Sequence, residues 1–79
     1  MNLLPEVRAE ADRAAERYGN FTSTHEGLGV LTEEYHELVE AVRSNRMDRI
    51  RCEAMQIAAV ALRLAESCEE SGFVARSVK

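Results

Sequence analysis

The stretch Leu31-Thr-Glu-Glu-Tyr-His-Glu-Leu-Val-Glu-Ala-Val42 decides the fold. Its apolar residues recur at spacings of three and four, with Leu31, Tyr35, Leu38, Val39 and Val42 on one side, the period of an amphipathic helix and not of a strand. Four glutamates share the segment, Glu33, Glu34, Glu37 and Glu40. At about 100° per residue, Glu33, Glu37 and Glu40 form a stripe largely opposite the apolar side. Glu34 lies on the border of that side, where Val30, Glu34, Glu37 and Ala41 line one flank. A carboxylate pair on that flank can look into a groove.

The same period extends in both directions. Upstream, Leu4, Val7, Ala11, Ala14, Ala15 and Tyr18 mark a first helix over about 3–18, with Pro5 in its first turn and Gly19 just past its end. Ser23, followed three residues later by Glu26, has the form of a capping box opening a second helix over about 24–43, with Leu28 on its apolar side. Gly27 and Gly29, early in that helix, allow another backbone or a ligand to come close. After the polar break Arg43-Ser-Asn-Arg46, a third helix spans about 47–70 and stops at Gly72, leaving a tail, 71–79. No stretch sustains two-residue alternation. The chain is thus expected to be one all-α domain over 1–79, with long, antiparallel second and third helices.

Length and composition bear on how such a domain closes its core. The 79 residues include seven leucines, two isoleucines, seven valines and two phenylalanines, a thin supply, while eleven alanines favour close helix packing. A helical bundle completed by a homodimer or homotetramer is therefore expected. The net charge of -4 disfavours a nucleic-acid partner, whose phosphates call for a basic face. No apolar run reaches the roughly 20 residues that span a bilayer, and the N-terminal stretch is too charged for a targeting peptide. No membrane partner is expected, and the cytoplasm is the expected location. Cys52 and Cys68 would lie about 24 Å apart on one helix at about 1.5 Å per residue, too far to bridge. They read as ordinary reduced thiols.

The third helix carries the clearest chemical signal. Ile50, Ile57, Val60, Ala61, Leu64 and Cys68 make its main apolar stripe, and Glu53 falls inside it. A carboxylate there needs a cation, hydrogen bonds or a raised pKa. Gln56 sits one turn on, and Arg63 two turns beyond that. Glu34-x-x-Glu37 on one helix and Glu53-x-x-Gln56 on the next would gather oxygen ligands if the helices run antiparallel. Carboxylate oxygens suit a hard divalent ion such as Mg²⁺.

This pattern resembles the all-α nucleoside triphosphate pyrophosphohydrolases of the MazG-like group, whose motif is E-x-x-E, a gap, then E-x-x-D. Glu34 and Glu37 match the first half, and Glu53 and Gln56, after 15 intervening residues, match the second. The likeness runs from about Ser23 to Glu70 and is to the short, single-domain, phage-type branch. It implies a Mg²⁺-dependent enzyme, with Mn²⁺ an alternative, that cleaves a nucleoside triphosphate between its α and β phosphates to give a monophosphate and pyrophosphate, working as a dimer or tetramer. Mapped by motif position, Glu34, Glu37 and Glu53 would be metal ligands with Gln56 in the fourth place. Glu33 or Glu37 could accept the proton of the attacking water. Arg63 would contact phosphate, and His25, just after the helix cap, is a second candidate for contact with substrate. Gln56 stands where the general family has Asp; its amide oxygen can ligate but brings no charge.

Two other classes are weighed against this. A non-catalytic oligomeric module that binds nucleotide or protein would follow from loss of competence at Gln56. Glu33-x-x-His36 matches the E-x-x-H element of di-iron bundles, but His36 projects away from the apolar side, which a bundle-core site does not tolerate.

Overall fold

The structure, a computed structural model, describes residues 1–70. The expected stop at Gly72 and the tail 71–79 lie outside the described residues. Three helices follow one another, α1 (Leu4–Tyr18), α2 (Thr24–Ser44) and α3 (Met47–Glu70), with no strand among the described residues. The starts of all three helices and the ends of α1 and α2 fall within one residue of their expected places.

Local chemistry explains the boundaries. Asn2 Oδ1 accepts from the Leu4 N–H at 3.0 Å and satisfies one of the unpaired donors that open α1, where Pro5 fits the first turn. Gly19 ends α1 at φ +78°, a left-handed backbone that an L side chain would strain, and its N–H donates to Ala15 O at 2.8 Å. Ser23 caps α2 by accepting from the Glu26 N–H at 3.0 Å, half of a capping box. The return half is displaced by one residue: Glu26 Oε1 accepts from the Thr22 N–H at 2.6 Å and Thr22 Oγ1 at 3.0 Å, not from Ser23. Asn45, in the left-handed region, closes α2 by donating to Val42 O at 3.0 Å, and α3 begins two residues later.

Helix α3 is the hub. Both α1 and α2 pack along it, whereas α1 and α2 do not approach each other, so a cleft opens between them with α3 as its floor. The core is small and alanine-rich: Ala11 of α1, Ala41 of α2, Ala59, Val60 and Ser67 of α3, and Phe21 from the α1–α2 connection. Small side chains let the helices come close. Gly27 shows this best, since a Cβ there would lie 2.7 Å from Leu64 Cδ1, whereas Gly29 has open space around it. Two exposed ion pairs, Arg8 with Glu66 and Arg51 with Glu6, link α1 to α3 at the surface, where water screens them.

The apolar sides are rotated from their sequence-based places. On α2, Leu28, Tyr35 and Val42 are each more than half exposed, and the face turned to α3 holds Gly27, Glu34 and Ala41 instead. On α3, Ala61 and Cys68 are exposed and Ser67 is buried. Helical averages weight large apolar residues most heavily, but contact within this chain selects the smallest ones, because only those allow helices to meet closely. Both cysteines are exposed free thiols. No helix among the described residues is long and apolar enough to cross a membrane.

Candidate metal centre and cleft

Glu34 and Glu37 lie one turn apart on α2, and Glu53 faces them from α3. One carboxylate oxygen of each falls within 4.8 Å of the other two. Of the expected Glu34, Glu37, Glu53 and Gln56, the structure brings the three carboxylates together. Their surroundings differ. The Glu37 side chain is open to water, Glu53 is 14% exposed, and Glu34 is partly buried with its Oε1 shut off from water.

Charge compensation at this cluster is slight. Arg49, one turn before Glu53 on α3, reaches it at 3.9 Å, the outer limit of an ion pair. Glu34 Oε1 has no hydrogen-bond partner among the described residues. Burial first, then the charges of Glu37 and Glu53, push the Glu34 carboxyl up from 4.5 to about 7. Below that pH the proton lets Glu34 donate to Glu53 or Glu37; above it, the buried oxygen faces two like charges with no donor. An orphaned buried oxygen beside two more carboxylates is a donor set that fits a hard divalent cation.

The cleft beside this cluster holds about 480 Å³, within the range of small-molecule sites. Glu10, Ala14 and Tyr18 of α1 form one wall, Val30, Glu33 and Glu34 of α2 the other, and Gln56, Ala59, Val60 and Arg63 the floor, with Asn20 and Phe21 closing one end. Glu33 thus stands in the cleft wall next to Glu34. Gln56 lines the floor and donates from Nε2 to Glu10 Oε2 at 3.0 Å. Arg63 is fixed by donating to Gly19 O at 3.1 Å and by stacking 4.3 Å above the Phe21 ring, and its charge acts on Glu26 of the same cleft. It is the sole basic residue among the described residues lining the cleft. His25 is exposed in the first turn of α2 and does not line it. His36 is exposed as well, its ring edge-on to that of Tyr35.

Sequence reasoning missed Glu10, Asn20 and Phe21. Glu10 had a signal: on α1 it borders the face of Val7, Ala11 and Ala14, just as Glu34 borders the face of α2. Arg13 first, then Gln56, hold its carboxyl below the ordinary range, so it is anionic at neutral pH. Asn20 and Phe21 lie in a connection, where periodicity carries no information.

The fold and site therefore define an all-helical protein with a three-carboxylate cluster at the edge of an interhelical cleft. No protein-family profile matches the chain, and no curated protein or solved structure matches it.

Proposed function

We propose that this chain is a divalent-cation-dependent nucleoside triphosphate pyrophosphohydrolase, converting a nucleoside triphosphate and water to the monophosphate and pyrophosphate. The buried, unpartnered Glu34 Oε1 beside Glu37 and Glu53 is the observation that carries this reading. Glu34, Glu37 and Glu53 would hold Mg²⁺ or Mn²⁺, with Gln56 as a neutral fourth oxygen donor. A cation bound there supplies neutralisation of phosphate charge and a lowered pKa for an attacking water.

The chain's own residues do the rest. Glu33 in the cleft wall, or Glu37 at the cluster, accepts a proton from water as its oxygen attacks the α phosphorus, and the bond to the bridging oxygen breaks as pyrophosphate leaves. Arg63 offers the triphosphate a positive charge already fixed in place by Gly19 and Phe21, so little side-chain freedom is lost on binding. The order of contacts, Gly27 against Leu64 and Glu34 against Glu53, supports an antiparallel course of α2 and α3. The exposed Leu28 and Tyr35, which with the half-buried Leu31 and Ile57 border a shallow apolar groove, support a homodimer or homotetramer in which this face is covered.

A second reading has one observation in its favour. The engagement of the Gln56 amide by Glu10 leaves the site one charge short of four carboxylates, which suits a non-catalytic oligomeric module that binds nucleotide. Pyrophosphate release from a panel of ribo- and deoxynucleoside triphosphates with Mg²⁺ separates the two. Turnover of at least one nucleotide, abolished by Glu37→Gln and by Glu53→Gln with helicity intact, is expected of the enzyme. Nucleotide binding without turnover of any panel member refutes the enzyme and leaves the module.

A further inference from the structure

We propose that Glu10 and Gln56 are a matched pair in which Glu10 is a positioning residue, turning the Gln56 amide so that its carbonyl oxygen, not its NH₂, is offered to the acidic site. The inference rests on the metal-site reading above and concerns the one position at which the motif departs from its usual acid.

Three observations carry it. Gln56 Nε2 donates to Glu10 Oε2 at 3.0 Å across α1 and α3, in a partly buried setting on the wall and floor of the same cleft that Glu34 lines. Both Glu10 oxygens already face donors, Oε1 that of Arg13 and Oε2 that of Gln56. An amide is planar with its two polar atoms on opposite sides of one carbon. Fixing Nε2 on α1 therefore fixes Oε1 away from it. Rotation of the amide would place two acceptor oxygens against each other at the 3.0 Å now spanned by the hydrogen bond.

The pairing also explains why residue 56 is an amide. An Asp or Glu at 56 would set a carboxylate against Glu10 at hydrogen-bond distance and remove the only donor from that contact. In this chain α1 supplies an acid where the motif gives one up. Glu10 thus sets the charge of the site without touching the ion.

Two measurements test this, one without metal and one with Mn²⁺ alone. In metal-free protein, the thermal midpoints of Glu10→Gln, Gln56→Glu and the swapped double variant form a cycle. The Gln56→Glu chain is expected to melt well below wild type, and the swap to recover most of the loss because the new Gln at 10 donates to the new Glu at 56. In Mn²⁺ binding followed by electron paramagnetic resonance, Glu10→Ala is expected to weaken affinity about tenfold, as loss of an outer partner of a ligand does. Glu10→Gln, which can still accept from Gln56 through its own carbonyl, should remain within about twofold of wild type by the same reasoning. The swap should bind Mn²⁺ more tightly than wild type.

Additive midpoints in the metal-free cycle overturn the pairing whatever the protein binds. Unchanged Mn²⁺ affinity in Glu10→Ala, in a protein whose binding is lost on Glu53→Gln, overturns the positioning role while leaving the metal site standing. Wild-type protein that fails to bind Mn²⁺, or binds it equally after Glu53→Gln, overturns the metal reading itself and with it the role of Glu10 toward that site.

Discussion

Replacing Glu34 by Gln tests the electrostatics of the cluster in one step. Burial and the charges of Glu37 and Glu53 hold this carboxyl near 7 in the fold, against an ordinary 4.5. A group whose folded pKa is raised stabilises the fold fully below the unfolded pKa, and that contribution is lost as pH rises through the folded value. Metal-free wild type is therefore expected to lose stability between about pH 4.5 and pH 7 from this residue, with no further loss above. Each tenfold in proton affinity corresponds to about 1.4 kcal/mol, so a fully dry site would lose on the order of 3 kcal/mol. Water reaches part of Glu34, and about half of that is the reasonable expectation after screening. Glu34→Gln keeps the shape and carries no charge. Its melting temperature at pH 8 should exceed that of wild type by several degrees, since about 1 kcal/mol moves a domain of this size by roughly 4–8 °C. At pH 4.5 the two should coincide. Saturating Mg²⁺ at pH 8 should raise wild type, by about 2.7 kcal/mol at a hundred times Kd, and leave the variant unmoved. Differential scanning calorimetry from pH 4.5 to 8.5 with and without Mg²⁺ reads all of this. A Glu34→Gln protein less stable than wild type at pH 8 without metal would refute the reasoning, since it would mean the ionised carboxylate is satisfied in the fold.

Other parts of the molecule give independent checks. Phe21→Ala removes a buried ring that also supports Arg63, and should cost about 3–5 kcal/mol in denaturant unfolding and weaken nucleotide binding. Gly27→Val should destabilise by about 1–3 kcal/mol because its Cβ meets Leu64, whereas Gly29→Ala, with open space around it, should stabilise by about 0.5–1 kcal/mol. The same unfolding curves decide both, and equal effects at the two glycines would contradict the packing described. Tyr35→Glu, in the uncovered face of α2, should shift the mass in sedimentation equilibrium toward monomer; an unchanged oligomer would place the subunit contact elsewhere.

How much of this was legible in the sequence depended on which signal each feature left. Helix boundaries were readable because Pro5, Gly19, Ser23 and Asn45 act through local backbone chemistry that short stretches carry entirely. The cluster was readable because Glu34 and Glu53 violate the periodicity of otherwise apolar faces, and a charge misplaced on a helical wheel identifies itself. Which face would be covered was not. Leu28, Tyr35 and Val42 are as periodic as any core stripe, yet α3 packs on Gly27 and Ala41, whose smallness matters only once two backbones meet. The contact of Glu10 with Gln56 joins residues 46 positions apart, so its partner could not be read from either helix alone.

The most direct test of the central claim is the anomalous scattering of Mn²⁺ in crystals of the protein grown at neutral pH. The expected result is a single strong peak within coordination distance, about 2.0–2.3 Å, of oxygens from Glu34, Glu37 and Glu53. A peak elsewhere, or none while Glu53 stays packed against Glu34 with a proton between them, would contradict the account.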